Sequence, residues 1–145
     1  MMRSSITVKK KSVLLVEDNP GDVRLIQEAL KTDAHRVELS IANDGQEALD
    51  MLETLRPDMI LLDLNLPKVD GRTVLRTIKA SQDLKRIPVV VLSTSEAELD
   101  INDAYDSHAN CYIAKPLDFN LFTTIIQGIQ NYWLGSFVIG PTRLN

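Results

Sequence analysis

Cysteine is almost absent from the chain, since Cys111 is the only one among 145 residues. No disulfide can therefore form within it, and a reducing cytoplasm is the expected compartment. No run of 18 apolar residues is present, which argues against a membrane span. The first eleven residues lack an apolar core segment, so they do not have the pattern of a secretory signal. The length suits one hydrophobic core that needs no disulfide or structural metal to fold.

Basic charge is scarce outside the N-terminus. Residues 1–11 hold four of the 16 basic residues and no acidic one, so the rest of the chain carries a net charge of −8. An acidic body argues against a nucleic-acid surface on the folded domain. The basic segment could contact an anionic partner, but a solvated, flexible arm is the favoured reading.

Five short apolar runs alternate with helical patterns. Four runs are nearly continuous, as expected for strands covered on both faces of a parallel sheet. The second run alternates, which places it nearer a sheet edge. The runs cover residues 12–16, 37–41, 59–62, 89–92 and 111–114. Apolar side chains share one helical face within 23–30, 48–55, 74–78, about 99–107 and about 119–134.

This order predicts an α/β protein in which right-handed crossovers join five parallel strands. The fold class is a doubly wound (βα)5 three-layer sandwich with the flavodoxin-like sheet order 2-1-3-4-5. The domain is expected to span 12–134, between a basic flexible arm (1–11) and an irregular C-terminal tail (135–145). Asp44-Gly45 and Asp70-Gly71 lie where turns or caps should start helices.

Polar residues follow four of the predicted strands, at the edge where ligands bind in open parallel sheets. Glu17 and Asp18 follow the first strand and Asp63 the third, which are neighbours in this order. Three carboxylates in one crevice favour a hard cation such as Mg²⁺, which binds carboxylates together with phosphates. Ser93 and Lys115, after the fourth and fifth strands, supply a hydroxyl and a point charge for phosphoryl oxygens. Together they indicate a phosphoryl group carried on a carboxylate.

Each of these residues also has a purely structural explanation. Glu17 and Asp18 could belong to a helix-capping loop, and Asp63 could be a cap or part of a structural pair. Ser93 could cap a helix, and Lys115 could be an ordinary solvated lysine. Their coincidence at separate strand ends favours the functional reading.

Four stretches of the sequence form a recognisable set. They are Leu-Leu-Val-Glu-Asp-Asn at 14–19, Met-Ile-Leu-Leu-Asp-Leu-Asn-Leu-Pro-Lys-Val-Asp-Gly at 59–71, Pro-Val-Val-Val-Leu-Ser-Thr-Ser at 88–95 and Tyr-Ile-Ala-Lys-Pro at 112–116. Together they resemble the receiver domains of two-component response regulators, and the resemblance covers residues 12–134.

The resemblance implies a role for each acidic residue. Asp63 would accept the phosphoryl group from a sensor histidine kinase. Glu17 and Asp18 would serve the Mg²⁺ ion, Asp18 most directly, and the main-chain carbonyl of Asn65 would complete the protein ligands. Such a domain is a phosphoacceptor that assists its own phosphorylation and dephosphorylation rather than an enzyme.

The resemblance also implies a switch. Ser93 would be the switch hydroxyl and Tyr112 the switch aromatic, while Lys115 would bind the phosphoryl group with the Lys115–Pro116 bond in cis. Phosphorylation would draw Ser93 inward, let Tyr112 rotate, and remodel the surface around the fourth helix, fifth strand and fifth helix.

Residues 84–95, 110–113 and 127–134 carry a narrower resemblance. They resemble single-domain regulators that partner bacterial phytochrome kinases. Such regulators dimerise through the fifth helix, and apolar residues continue beyond the face that one core can bury. We therefore expect a homodimer through this helix and its C-terminal extension. Pro116 follows the general receiver pattern, whereas 108–110 lack the glycine usual before the fifth strand.

Other function classes fit less well. A haloacid-dehalogenase-like phosphatase needs an Asp-x-Asp motif after the first strand, where this chain has Glu17-Asp18-Asn19. The acidic 17–22 loop would repel the phosphate of a flavin. A receiver fold acting only as a scaffold usually lacks an acid or the lysine, and none is missing here. Whether the protein is a terminal effector or a phosphorelay intermediate stays open.

Overall fold

A computed structural model describes residues 11–30, 37–93 and 111–114, and also residues 120, 121, 123, 124, 127 and 128. The strands are β1 (Lys11–Val16), β2 (Val37–Ala42), β3 (Met59–Asp63), β4 (Val89–Ser93) and β5 (Cys111–Ala114). The helices between them are α1 (Pro20–Leu30), α2 (Gly45–Met51) and α3 (Gly71–Ala80). The six described residues between 120 and 128 are helical, as predicted for the fifth helix.

The five strands form one parallel sheet in the predicted order β2-β1-β3-β4-β5. β3 is buried along its whole length, which explains its continuous apolar sequence. β2 lies at an edge and is only partly buried, so its alternating sequence was a correct indicator of position. β1 and β3 are adjacent, and Val16 of β1 pairs with Leu62 of β3.

The sheet separates two apolar clusters, which gives the predicted three layers. On one face, α2 and α3 pack over side chains such as Leu14, Ile60 and Val91. On the other face, α1 packs over Val13, Leu61 and Val90. Alternate residues of each strand thus enter opposite clusters, as the pleat of a strand requires.

Helix starts agree only in part with the expected caps. Asp44 caps α2, because its Oδ1 accepts the Glu47 N–H at 2.7 Å. Asp70 precedes α3 at the expected place, but its side chain makes no capping hydrogen bond and instead lies 3.6 Å from Arg72 Nη1. The backbone of Asp70 (ψ 145°) is not helical, and α3 begins after it without a side-chain cap.

Several boundaries differ from the prediction. β1 begins at Lys11, one residue before the expected start, because Lys11 pairs with Val37 of β2. α2 ends at Met51, so Leu55 packs against the core from beyond the helix. The fourth predicted helix and the Lys115–Pro116 bond lie outside the described residues. None of the helices in the described part of the chain combines the length and apolar character needed to cross a bilayer.

Lys79 joins the end of α3 to the start of β4. Its Nζ donates to the carbonyl oxygens of Lys85 at 3.1 Å and Ile87 at 2.8 Å. Partial burial lowers the pKa of the Lys79 ammonium. This contact fixes the entry of β4 at the sheet edge opposite the carboxylates.

Candidate metal site at the carboxyl edge of the sheet

Glu17, Asp18 and Asp63 converge at the ends of β1 and β3. One carboxylate oxygen from each lies within 4.8 Å of the others. Two of these residues follow β1 directly and the third is the last residue of β3, so strand adjacency alone places them at one edge. The structure therefore brings together the three carboxylates that the sequence predicts as one site.

Glu17 is held in the floor of the site, where only 1% of it is exposed. Its N–H donates to the Ala42 carbonyl at 3.0 Å, which continues the contact between β1 and β2. Its Oε2 accepts the Asn19 N–H at 3.2 Å. Burying a carboxylate costs desolvation free energy unless hydrogen bonds or an opposite charge offset it. The buried position of Glu17 therefore indicates that its charge has a function.

Asp18 is exposed, and the adjoining loop explains how it differs from Glu17. Asn19 caps α1, since its Oδ1 accepts the N–H groups of Gly21 at 2.8 Å and Asp22 at 3.1 Å. Pro20 occupies the first helical position, where its missing N–H has no cost. Helix capping is thus performed by Asn19, and the capping explanation does not account for the position of the Asp18 carboxylate beside Asp63.

Asp63 is 7% exposed and pairs with Leu92 of β4. Its Oδ1 accepts the N–H of Asn65 at 3.0 Å, so the loop after β3 folds back onto the carboxylate. Asn65 itself is exposed at the rim of the site. This hydrogen bond restricts the orientation of the Asp63 carboxylate before any ligand binds.

A close backbone contact supports Asp63 from below. Gly71 begins α3, and its N–H donates to the Leu64 carbonyl at 3.1 Å. A Cβ at Gly71 would overlap the Asp63 carbonyl oxygen and would lie 2.5 Å from Leu64 Cα. Only glycine allows this approach, and the sequence signals it only through the Asp-Gly pair at the helix start.

The geometry and charge of the trio fit a divalent cation. Two ligands of an octahedral Mg²⁺ ion lie about 3 Å apart when adjacent and about 4.2 Å apart when opposite. One carboxylate oxygen of each residue in the trio lies within 4.8 Å of the other two, which is close to these separations. Three neighbouring carboxylates also repel one another, and a hard cation with oxygen preference offsets that repulsion. Glu17, Asp18 and Asp63 are thus able to hold such an ion.

The remaining predicted site residues are described only in part. Ser93 ends β4 and pairs with Ala114, and Tyr112 of β5 pairs with Val91. These backbone positions put Ser93 at the same edge as Asp63. Lys115 and Pro116 lie outside the described residues.

Comparisons with known proteins agree with this geometry. The sequence profile of the response regulator receiver domain matches residues 13–127. Response regulator Rcp1 of Synechocystis sp. is 49% identical over 131 residues, which cover 86% of this chain and 89% of that protein.

Solved structures give the same result. The phosphorylated cyanobacterial phytochrome response regulator RcpA is 48% identical, with a TM-score of 0.84 over 91% of this chain and 99% of that one. The Mn²⁺-bound form of Rcp1 is 46% identical, with a TM-score of 0.82 over 90% and 99% of the two chains. The chain therefore belongs to the response regulator receiver domain family and is related to phytochrome response regulators.

Proposed function

We propose that Asp63 accepts a phosphoryl group from a sensor histidine kinase and that Glu17, Asp18, Asp63 and the Asn65 carbonyl hold the Mg²⁺ ion that this reaction uses. The observation that carries the proposal is the convergence of the three carboxylates at the ends of adjacent strands. Asp63 is the best placed acceptor, because it ends the buried central strand β3 and its carboxylate is already oriented by Asn65.

The transfer is a substitution at phosphorus. A carboxylate oxygen of Asp63 forms the new O–P bond, the P–N bond of the donor phosphohistidine breaks, and its electron pair stays on the imidazole nitrogen. A Mg²⁺ ion held by the trio would supply positive charge that stabilises the charge on the phosphoryl oxygens. The chain itself contributes position, since the Asn65 N–H holds Asp63 and the buried Glu17 fixes the floor. Lys115 and Ser93 are proposed to contact the phosphoryl oxygens.

The kinase is proposed to be of the phytochrome type. Support comes from the relatives, because RcpA is a phytochrome response regulator whose structure was solved in the phosphorylated form. Rcp1 was solved in a Mn²⁺-bound form, which supports the binding of a divalent ion by this chain. We place the reaction in the cytoplasm, the reducing compartment that a single cysteine favours.

Covalent mapping tests the acceptor directly. Incubation with acetyl phosphate and Mg²⁺ is expected to give a phosphorylated protein whose acyl phosphate borohydride reduces to homoserine. Peptide mass spectrometry should place homoserine at position 63. Homoserine at position 18, or a modification that needs no divalent ion, would contradict the proposal.

Asp18→Asn is expected to raise the Mg²⁺ concentration for half-maximal thermal stabilisation by roughly tenfold, because one of the few charged ligands is lost. The metal-free variant should melt at or above the wild-type temperature, since repulsion within the trio falls. Thermal unfolding across a Mg²⁺ series measures both quantities. Asp83→Asn is the control, because Asp83 is exposed and its carboxylate forms only a long ion pair with Arg56, 3.9 Å away. An unchanged Mg²⁺ response in Asp18→Asn would remove this residue from the metal site.

A homodimer through the fifth helix and its C-terminal extension remains part of the proposal. Leu121 supports it, because it is a large apolar side chain that is 51% exposed in the described part of this helix. Ser93 and Tyr112 are proposed to transmit phosphorylation to the adjoining surface. Sedimentation equilibrium at tens of micromolar protein should show a dimer, and Leu121→Asp should shift it toward monomer. A monomeric wild-type protein would exclude this assembly.

A further inference from the structure

Lys68 adopts a backbone conformation that lysine rarely occupies. Its φ is 64°, and among the described residues it is the single non-glycine residue with positive φ. The left-handed region is unfavourable for a residue with a Cβ, so the surrounding structure must hold it there. Lys68 lies in the loop of residues 64–70 that joins Asp63 to α3.

An ion pair holds the Lys68 side chain on the start of α2. Lys68 Nζ is 3.6 Å from Asp44 Oδ2; the Lys68 side chain is 70% exposed, whereas that of Asp44 is only 17% exposed. The other oxygen of the same carboxylate, Oδ1, accepts the Glu47 N–H that caps α2. Asp44 thus ties the loop after β3 to a helix start that is itself fixed.

The next residue of the loop is pressed against the same helix. A Cβ at Gly45 would overlap the Val69 carbonyl oxygen and would lie 2.8 Å from its carbonyl carbon. The loop therefore meets α2 at Lys68 and Val69 through two different contacts. At its other end it is joined to α3 by the Gly71 N–H, which donates to the Leu64 carbonyl.

We infer that Lys68 is a positioning residue for the phosphoacceptor site, acting through its ion pair with Asp44. By fixing the loop against α2, it keeps the Asn65 N–H on Asp63, one of the three carboxylates of the trio. The inference rests on the proposed function, since it gives the loop a role in metal binding and phosphorylation. In this role Lys68 acts on the site only through the position of Asn65, and its own ammonium group pairs with Asp44 rather than with Asp63.

Three variants separate positioning from stability. Lys68→Met removes the charge and keeps the length of the side chain, while Asp44→Ser keeps a capping hydroxyl and removes the carboxylate. Lys68→Arg keeps the charge. Asp83→Asn is the matched control, because it removes an exposed ion pair of similar length, with Arg56, away from the site.

Two readouts are taken for each variant. The first is the Mg²⁺ concentration for half-maximal rise of the melting temperature, which needs no phosphorylation. The second is the rate of labelling by acetyl phosphate at saturating Mg²⁺. We expect Lys68→Met and Asp44→Ser each to raise the half-maximal Mg²⁺ concentration by about fivefold, and the double variant to be no worse than either, as for residues acting through one contact. Lys68→Arg should restore most of the wild-type response.

A wild-type Mg²⁺ response in Lys68→Met and Asp44→Ser would overturn the inference, even if both melted at lower temperature. Additive effects in the double variant would also overturn it, because the two residues would then act separately. Failure of the proposed function gives a different result: the wild-type protein would bind Mg²⁺ without becoming labelled. The metal readout still decides the role of Lys68 in that case.

Discussion

Asp63→Asn is expected to lower phosphoryl incorporation from acetyl phosphate by roughly 100-fold or more, because an amide is not an effective nucleophile toward phosphorus. The substitution keeps the shape of the side chain, and the amide oxygen can still accept the Asn65 N–H that now binds Oδ1. Removing one of three adjacent carboxylates also lowers their mutual repulsion. The metal-free variant should therefore fold with at least wild-type stability.

The measurement is Mg²⁺-dependent labelling resolved by intact mass, with the melting temperature recorded in parallel. Asp83→Asn makes the same chemical change at an exposed carboxylate and should label like the wild type. Full labelling of Asp63→Asn would show that another residue is the acceptor. Residual labelling that maps to Asp18 would mean that the neighbouring carboxylate takes over weakly.

Gly71→Ala is expected to destabilise the protein by about 3 kcal/mol, at the upper end of the usual overpacking range. The added Cβ would overlap the Asp63 carbonyl oxygen and approach Leu64 Cα and O to 2.5 and 2.8 Å. These atoms are backbone, so they cannot rotate away as a side chain could. For a domain of this size the melting temperature should fall by roughly 10 °C. Since the strain acts on Asp63, the proposed acceptor, labelling by acetyl phosphate should slow as well.

Gly128→Ala is a control for which we expect the free energy of unfolding to rise rather than fall. Gly128 is an exposed helical residue, and a Cβ there would meet nothing within 4 Å. Alanine has the higher helix propensity, so this variant should gain about 0.5–1 kcal/mol. Denaturant unfolding compares the two variants. A loss below about 1 kcal/mol in Gly71→Ala would show that α3 shifts easily away from Asp63.

The strand order and the carboxylate trio could be predicted because both follow from local patterns and one topological rule. The alternating sequence of β2 indicated an edge, and the continuous apolar sequence of β3 indicated a buried strand. Parallel strands then place Glu17, Asp18 and Asp63 at one edge. None of these steps requires knowing how helices pack.

The contacts that shape the site could not be predicted in this way. The overlap positions of Gly45 and Gly71 depend on how closely α2 and α3 approach the loop after β3. Lys68 forms its ion pair with Asp44, a partner that is distant in sequence. Asp44-Gly45 and Asp70-Gly71 look alike in the sequence, yet only Asp44 makes a capping hydrogen bond. A dipeptide therefore marks a helix start without revealing the tertiary contact that it serves.

The central place of β1, between β2 and β3, has a consequence for biosynthesis. Glu17 and Asp18 leave the ribosome 46 and 45 residues before Asp63, an interval of about 2–9 s at typical translation rates. During that interval the edge of β1 that later pairs with β3 has no partner strand. The nascent chain then carries Glu17 and Asp18 but not Asp63. With Asp63 as the proposed acceptor, a prematurely terminated product that stops in α2 would lack the residue that takes the phosphoryl group from the proposed kinase.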